Sequence, residues 1–344
     1  MKYIVLFLIP FFFIACNEDT TSNEIYADIE TENCLATQED DAADDPAFWL
    51  NPTEPASSFI FGSNKLLGLE VYDLNGKRLA HYPTGRLNNI DVVQDITLAG
   101  QKMDIVAGSN RDHDRIDVWQ INQDATIFNF ISDTGMSTKL EGVYGFCLWK
   151  DKNQTYAFIN NKEGDIEQWK LIGDSLPIQF ELVHQYKAES QIEGMVVDAK
   201  SARLYVGEEN QGIYVYNLLD PAVKRYKIKN SGEENKDLAY DIEGLTIYNK
   251  GNQNLLLASS QGNNRYAVFD INDEHSYKGY FQIGSSTIDG SEETDGIDVV
   301  SKAIGDIYPE GIFICQDGFN KDKDGNPVPQ NFKITDWRKI QKLF

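Results

Sequence analysis

A pair of closely spaced carboxylates raises the first chemical question about this sequence. The segment AYDIEGLTIY at 239–248 carries Asp241 and Glu243 two residues apart in a run rich in β-forming residues. In a strand, residues i and i+2 point to the same face, so we expect both carboxylates side by side. Like charges held together repel each other, and such a pair therefore needs either a cation or open water.

Carboxylates recur at the start of similar apolar runs elsewhere in the chain. The matching positions are Asp44 in DAADDPAFW, Glu193 in QIEGMVVD and Asp295 in TDGIDVV, and Glu209 closes the run LYVGEE. Carboxylate oxygens are hard ligands that suit calcium best and magnesium or manganese less well. The four His residues show no zinc-site spacing. If these acids meet in the folded protein, we expect several Ca²⁺ ions among them; ions that only stabilise the fold are the alternative.

Three basic side chains recur at one point of the pattern. Lys65 in GSNK, Arg111 in GSNR and Lys162 in INNK each follow Asn at the end of an apolar run. Arginine binds phosphate through two parallel hydrogen bonds, and lysine acts as a point charge. Tyr144, in EGVYGF, adds a hydroxyl, with a role as a core aromatic residue as the alternative. Beside a calcium-filled acidic cluster, these bases predict a site for a polyanion.

Strand-like runs supply the elements that must position these residues. Three classes of run recur about 45 to 55 residues apart, the size of a four-stranded propeller blade. The first class reads DDPAFWL, NIDVVQD, VYGFCLW, IEGMVVD, IEGLTIY and DGIDVV. Six copies predict an all-β fold, a six-bladed β-propeller with four-stranded antiparallel blades, and a pair of β-sandwiches is the alternative. Corresponding strand ends would then meet at one mouth of the central channel.

The charge of the chain limits its partners. There are 54 acidic and 31 basic residues, a formal net charge of −23. A field of this sign repels phosphate backbones, so nucleic acid is excluded as an expected partner. No apolar surface patch is evident in the sequence, and we expect a monomer.

The N-terminus is typical of an exported protein. Residues 3–15 form an apolar run that is too short to span a bilayer as a helix. FIAC at 13–16 resembles a lipobox, in which Cys16 is lipidated; an ordinary secretory signal is the alternative. We therefore expect a signal peptide over 1–16, a polar tether and closing N-terminal segment over 17–38, and the propeller over 39–344. The expected location is the cell envelope, at the outer membrane or cell surface, with membrane contact only through the lipid.

Taken together, these segments resemble the β-propeller phytases, the calcium-dependent alkaline phytase family. The resemblance covers residue 39 to the C-terminus. The segments that carry it include DAADDPAFWLNP, GSNKLLGLEVYDLNGK, GRLNNIDV, GSNR, EGVYGFCL, NNKEGDIEQW, QIEGMVVD, LYVGEEN, DIEGLTIY, LLASSQGNNRYAVF, TDGIDV, CQDG and QNFKITDW. The family fold is a six-bladed propeller, which agrees with the repeat count.

The resemblance also implies roles for individual residues. The family's catalytic calcium ligands correspond to Asp44, Glu193, Glu209, Asp241, Glu243 and Asp295. Its phosphate-binding bases correspond to Lys65, Arg111 and Lys162. Tyr144 matches a residue of the same catalytic cluster, and Asp289, in IDGSEETDG, matches a ligand of a structural calcium.

The activity implied by the resemblance is 3-phytase-type hydrolysis of myo-inositol hexakisphosphate (phytate) or related inositol phosphates, by direct attack of a metal-bound water. The chain lacks a recognisable Ser or Cys nucleophile paired with His, which agrees with this chemistry. Two alternatives remain open: a calcium-dependent lactonase or esterase, and a non-catalytic surface propeller that binds a polyanion or a protein.

Overall fold

The computed structural model describes residues 23–122, 129–152 and 154–344. In these residues six antiparallel sheets of four strands follow one another around a ring. The innermost strand of each sheet contacts the innermost strand of the next, and the sixth contacts the first, which closes the ring. The prediction of a six-bladed β-propeller is therefore confirmed.

The chain begins its described part with two short strands, β1 (Glu24–Tyr26) and β2 (Ile29–Glu30). Blade 1 then contains β3 (Ala43–Trp49), β4 (Phe59–Asn64), β5 (Gly68–Tyr72) and β6 (Arg78–Tyr82). Blade 2 contains β7 (Leu87–Leu98), β8 (Gln101–Asn110), β9 (Arg115–Ile121) and β10 (Asn129–Phe130). Blade 3 contains β11 (Val143–Asp151), β12 (Gln154–Asn161), β13 (Asp165–Ile172) and β14 (Gln179–Lys187).

The second half of the ring repeats the same order from the channel outward. Blade 4 contains β15 (Ile192–Asp198), β16 (Arg203–Glu208), β17 (Gly212–Asn217) and β18 (Tyr226–Lys227). Blade 5 contains β19 (Ile242–Lys250), β20 (Gln253–Ser260), β21 (Arg265–Asp270) and β22 (Ser276–Gly284). Blade 6 contains β23 (Ile297–Val300), β24 (Ile312–Asp317) and β25 (Asn331–Asp336). Helix α1 (Trp337–Gln341) and the 3₁₀ turns Pro55–Ser57 and Gln261–Asn263 are the helical elements of the described residues.

The N-terminal strands complete the last two blades. β2 is the outermost strand of blade 6 and pairs antiparallel with β25, where Ile29 faces Ile334. β1 runs parallel to β22 and adds a fifth strand to blade 5. Residues 24–30, inside the segment predicted to close the fold, thus join blades that are built mostly from the end of the chain.

Apolar side chains fill the junctions between blades. Six clusters of buried residues lie at the six junctions of the ring. The cluster between blades 5 and 6, for example, packs Tyr266, Phe281 and Phe313 with their rings in contact. Burial of such side chains contributes about 1.5–3 kcal/mol each and holds neighbouring sheets face to face. The blades therefore form one rigid support for side chains at the mouth.

No helix in the described part of the chain has the length and apolarity needed to cross a membrane. The predicted signal peptide and its Cys16 lie outside the described residues.

Candidate functional site

A repeated β-bulge aims one side chain per blade at the mouth of the channel. In β15, Ile192 pairs with the end of β16, and regular pairing resumes only at Met195. The innermost strands β3, β7, β11 and β19 have the same interruption at the same point. A bulge turns a side chain out of the strand's usual alternation. We call the residues at this position, with the corresponding residue just before β23, the mouth ring: Asp44, Asn88, Tyr144, Glu193, Glu243 and Asp295.

Glycines behind the mouth ring set the spacing between blades. A Cβ atom on Gly145 would lie 2.0 Å from the carbonyl oxygen of Glu193, and one on Gly194 would lie 2.1 Å from that of Glu243. Real Cβ atoms do not come this close to a backbone oxygen, so any larger residue would push the blades apart. Glycine therefore brings successive members of the ring close together.

A second set of side chains flanks the ring. These are the residues that follow the end of the second strand in blades 1 to 5, and four of their N–H groups donate to the carbonyl of the residue just before the innermost strand. One such bond joins Lys65 to Ala42 over 2.7 Å, and another joins Glu209 to Gln191 over 3.0 Å. We call this set the flanking ring: Lys65, Arg111, Lys162, Glu209 and Gln261.

The carboxylates of the two rings converge. Oxygen atoms of Glu193, Glu209 and Glu243 lie within 4.8 Å of one another. Burial raises the pKa of Asp44 well above its usual value, with Glu193 and Asp295 adding to the shift and Lys65 opposing it. Burial also raises the pKa of Asp295 to about 6 and that of Glu209 to about 7. These acids oppose one another's ionisation as long as no further cation is present.

The three predicted bases lie beside this cluster. Lys65 Nζ is 2.8 Å from Asp295 Oδ2 and 2.8 Å from Asp41 Oδ1. Burial lowers the pKa of Lys65, but Asp44, Asp295 and Asp41 outweigh it, so the net shift is upward and the ammonium stays charged. Lys65 therefore neutralises part of the cluster.

Tyr144 lies between two of the bases. Lys162 Nζ is 4.1 Å from the centroid of its ring, and the Arg111 guanidinium is 5.7 Å from it. Both contacts are cation–π interactions. Burial, and then the charge of Glu193, raise the pKa of the Tyr144 phenol, so its hydroxyl stays protonated.

Asp241 and Glu243 do not lie side by side on one regular strand, as the sequence had predicted. Strand β19 begins at Ile242, so Asp241 precedes the strand and Glu243 lies in its bulge. Simple strand alternation therefore does not place the two side chains. The charges of these carboxylates still interact. Burial raises the pKa of Glu243, and the charges of Glu193 and Glu209 raise it further. Burial also raises the pKa of Glu209, to which Asp241 contributes.

Two further acids, Asp45 next to Asp44 and the predicted calcium ligand Asp289, lie away from the mouth. Asp45 is turned down the channel, where its Oδ2 accepts from the N–H of Ile90 over 3.1 Å. Asp289 contacts the Nζ of the fully buried Lys333 and accepts from the N–H of Lys321 over 2.7 Å. The other ten predicted positions of the described chain are gathered in or beside the two rings.

Sequence reasoning missed three amide side chains that hold these carboxylates. Asn88 donates to Glu193 over 2.7 Å, Gln191 to Glu209 over 2.6 Å and Gln261 to Asp295 over 2.6 Å. The pattern contained a clue to two of them. In LNNIDVV, Asn88 has the place of the glutamate in IEGMVVD, and in SSQGN, Gln261 has the place of the lysine in GSNK.

The donor set fits calcium. Both side-chain oxygens of Asp44 and Oε2 of Glu243 are buried, yet none of the described groups hydrogen-bonds to them. Buried, unpaired carboxylate oxygens are costly, and a cation that binds them removes this cost. All the candidate ligands are hard oxygen atoms, as calcium prefers. Asp44, Glu193, Glu209, Asp241, Glu243 and Asp295 are the residues that would hold such ions.

Fold and site together define a six-bladed propeller whose mouth brings buried carboxylates and basic side chains together at a candidate metal site. The sequence matches the phytase family over residues 7–344, and the chain belongs to that family of hydrolases. It is 40% identical over 319 residues to the 3-phytase of Bacillus subtilis (strain 168), a match that covers 90% of this chain and 83% of the relative.

Solved structures add little to this comparison. The chain resembles BBS1N from its complex with ARL6DN, soaked with lead, with a TM-score of 0.49 and 11% identity over 84% of this chain and 77% of the other. A likeness at this level carries no argument about function.

Proposed function

We propose that this protein is a calcium-dependent 3-phytase-type phosphomonoesterase that acts on myo-inositol hexakisphosphate or related inositol phosphates. Membership of the phytase family and the similarity to a 3-phytase support the substrate class. The observation that carries the calcium requirement is the set of buried, unpartnered oxygens on Asp44 and Glu243 beside three bases. An anionic substrate needs cations between itself and such a cluster.

In this proposal the acids of the two rings bind calcium, and the bases bind the phosphate groups of the substrate. Asp44, Glu193, Glu209, Asp241, Glu243 and Asp295 would hold several Ca²⁺ ions, whose chemistry is to lower the pKa of a water that attacks phosphorus directly. Arg111 and Lys162 supply positive charge next to the phosphoryl oxygens. The protonated hydroxyl of Tyr144 supplies a hydrogen-bond donor at the same place.

Lys65 has a double role in this proposal. In the structure its ammonium is engaged by Asp295 and Asp41. A cation held by Asp295 would weaken its pairing with Lys65, and the ammonium would then serve a substrate phosphate. Several charged phosphates on one inositol ring match several separate cations along the mouth, which favours a polyphosphorylated substrate over a simple ester.

The direct test is phosphate release from phytate by the chain lacking residues 1–16. We expect release in calcium, loss of release in EDTA and recovery when calcium is restored. Turnover that persists in chelator would rule out the calcium mechanism.

Variants of the bases separate this proposal from the alternatives. Arg111→Met and Lys162→Met should each reduce phosphate release about 10²-fold, since each removes a charge-assisted contact to the phosphoryl group. Arg338→Met is the matched control, because Arg338 lies on α1 and pairs with Asp336. A lactonase or esterase would keep its activity in all three variants, and a non-catalytic binding propeller would release no phosphate in any of them.

The proposal also covers the oligomeric state, the membrane anchor and a structural calcium site. The protein would be a monomer anchored in the cell envelope through a lipid on Cys16, with its catalytic domain outside the cytoplasm. Metabolic labelling with a fatty-acid analogue tests the anchor, and Cys16→Ser should abolish the label. Asp289 remains a proposed ligand of a structural calcium, and an ion there has to share the carboxylate with Lys333.

A further inference from the structure

Asn88 is the one uncharged amide of the mouth ring. It is fully buried, and its side chain uses both polar atoms. Nδ2 donates to Glu193 Oε1 over 2.7 Å and to Asn89 Oδ1 over 2.9 Å, while Oδ1 accepts from Arg111 Nη1 over 3.1 Å. A single side chain therefore joins a proposed phosphate-binding base to a proposed calcium ligand.

The bond to Glu193 crosses the mouth. Asn88 belongs to blade 2 and Glu193 to blade 4, so their contact joins two blades that are not neighbours in the ring. The bases come from blades 1 to 3, whereas four of the six proposed calcium ligands come from blades 4 and 5. Asn88 thus connects the basic side of the mouth to its acidic side.

The other amides at the mouth have no such double contact. Gln191 donates to Glu209 and Gln261 donates to Asp295, and neither accepts a hydrogen bond from one of the three bases in the described structure. Aspartate at position 88 would attract Arg111 more strongly but repel Glu193, and leucine would contact neither. The carboxamide has its donor and its acceptor on two separate atoms, so Nδ2 can serve the carboxylate of Glu193 while Oδ1 serves the guanidinium of Arg111.

We infer that Asn88 is a positioning residue that holds Arg111 and Glu193 at a fixed separation, so that the phosphate-binding guanidinium and the calcium ligands act on one phosphoryl group. This inference rests on the proposed function. Residues that orient metal ligands through hydrogen bonds typically affect metal affinity or activity about 10- to 100-fold.

Four variants test the inference by kinetics and by calcium calorimetry: Asn88→Leu, Asn88→Asp, Asn88→Gln and, as control, Asn254→Leu. Asn254 is also a buried amide, at the far end of blade 5, where it accepts a hydrogen bond from Asn249. Asn88→Leu should lower kcat/KM for phytate about 10- to 100-fold and weaken calcium binding about tenfold.

Asn88→Asp should mainly raise KM, because Arg111 becomes paired with a charge, and it should keep or strengthen calcium binding. Asn88→Gln, which keeps both functional groups, should recover part of kcat/KM, and Asn254→Leu should match the wild type.

The results distinguish this inference from the proposed function. Wild-type kcat/KM and wild-type calcium affinity in Asn88→Leu would overturn the positioning role and leave the proposed function intact. If no protein releases phosphate, the wild type included, the proposed function fails, and equal calcium binding by the wild type and Asn88→Leu would then overturn the inference as well. Circular dichroism checks folding, and if Asn88→Leu does not fold, an Asn88→Asp variant with an unchanged KM overturns the inference.

Discussion

Two clusters of carboxylates in this molecule are neutralised in different ways. At the mouth ring, Asp44 and Glu243 keep buried oxygens without a hydrogen-bond partner in the described structure. In blade 6, three carboxylates surround the fully buried ammonium of Lys333: Glu30 at 2.7 Å, Asp317 at 3.3 Å and Asp289, which is also in direct contact. Asn320 Oδ1 accepts from the same Nζ over 3.0 Å.

The difference shows what makes an acidic cluster a candidate metal site. Both clusters collect acids from segments far apart in the sequence, so convergence of acids alone does not separate them. The cluster in blade 6 already contains a fully buried cation that is part of the chain, whereas the mouth has one partly buried lysine, Lys65, for a larger number of acids. Buried oxygens that lack a cation, rather than the number of carboxylates, mark the mouth as the place for added ions.

The largest effect is expected from removing the internal cation. Lys333→Met leaves Glu30, Asp289 and Asp317 around an apolar side chain, and breaking a buried ion pair in this way costs about 3–5 kcal/mol. Denaturant unfolding in EDTA measures the loss. Lys339→Met is the control, because Lys339 is partly exposed and pairs with Asp28, and it should cost less than about 1 kcal/mol.

The unfolding of Lys333→Met should also be measured with calcium present. If calcium restores much of the stability of Lys333→Met, an ion can take the place of the ammonium, and the two clusters differ only in the source of their cation. A loss no greater than that of Lys339→Met would contradict the role given to Lys333.

At the mouth, removing an acid should change the free energy of unfolding in the opposite direction and stabilise the calcium-free protein. Burial, with Glu193 and Glu209 adding to it, raises the pKa of Glu243, so its ionised form opposes folding. Glu243→Gln should therefore raise the free energy of unfolding in EDTA, since it removes a buried group whose ionisation its neighbours oppose. The same variant should gain less stability from calcium than the wild type and should release little phosphate. Lower stability in EDTA would contradict the repulsion described here.

A smaller effect is expected on the way in which the stability of the calcium-free protein changes with pH. The pKa of Asp295 is raised to about 6 and that of Glu209 to about 7, whereas unfolded carboxyl groups titrate near about 4. Between these values the folded state binds more protons than the unfolded state, so the contribution of these groups to stability falls as pH rises from about 4 to 7.

Calcium binding at the mouth should displace these protons. Calorimetry near pH 6 in two buffers of different ionisation enthalpy measures the release. An uptake of protons, or no change, would show that these carboxyls are not the calcium ligands.

Much of the fold and site follows from local sequence pattern. Apolar runs with polar ends repeat with the size of a blade, and they predict both the ring and the places of Glu193, Lys65 and Arg111. Each of these residues has a fixed relation to the end of its own strand. The prediction needs only that equivalent strand ends meet around one axis.

The features that sequence reasoning missed depend on contacts between distant segments. The bulge before Met195 makes no motif of its own, and the bond from Asn88 to Glu193 joins residues 105 positions apart. Lys333 reads as an ordinary strand residue in QNFKITDW until the fold brings Glu30 and Asp289 to it. The two-residue strand β2 is too short for a periodic pattern.

The pairing of β2 with β25 has a consequence for biosynthesis. Phe332 donates its N–H to Thr31 Oγ1, a contact between residues 301 positions apart, so the first blade-forming segment to be made waits for one of the last. A nascent chain or a fragment cut before β25 leaves β24 and β2 without the strand that lies between them, and their unpaired edges are open to other chains. The ring can therefore be closed only after β25 has been synthesised, so the polypeptide stays open while the residues before β25 emerge from the ribosome.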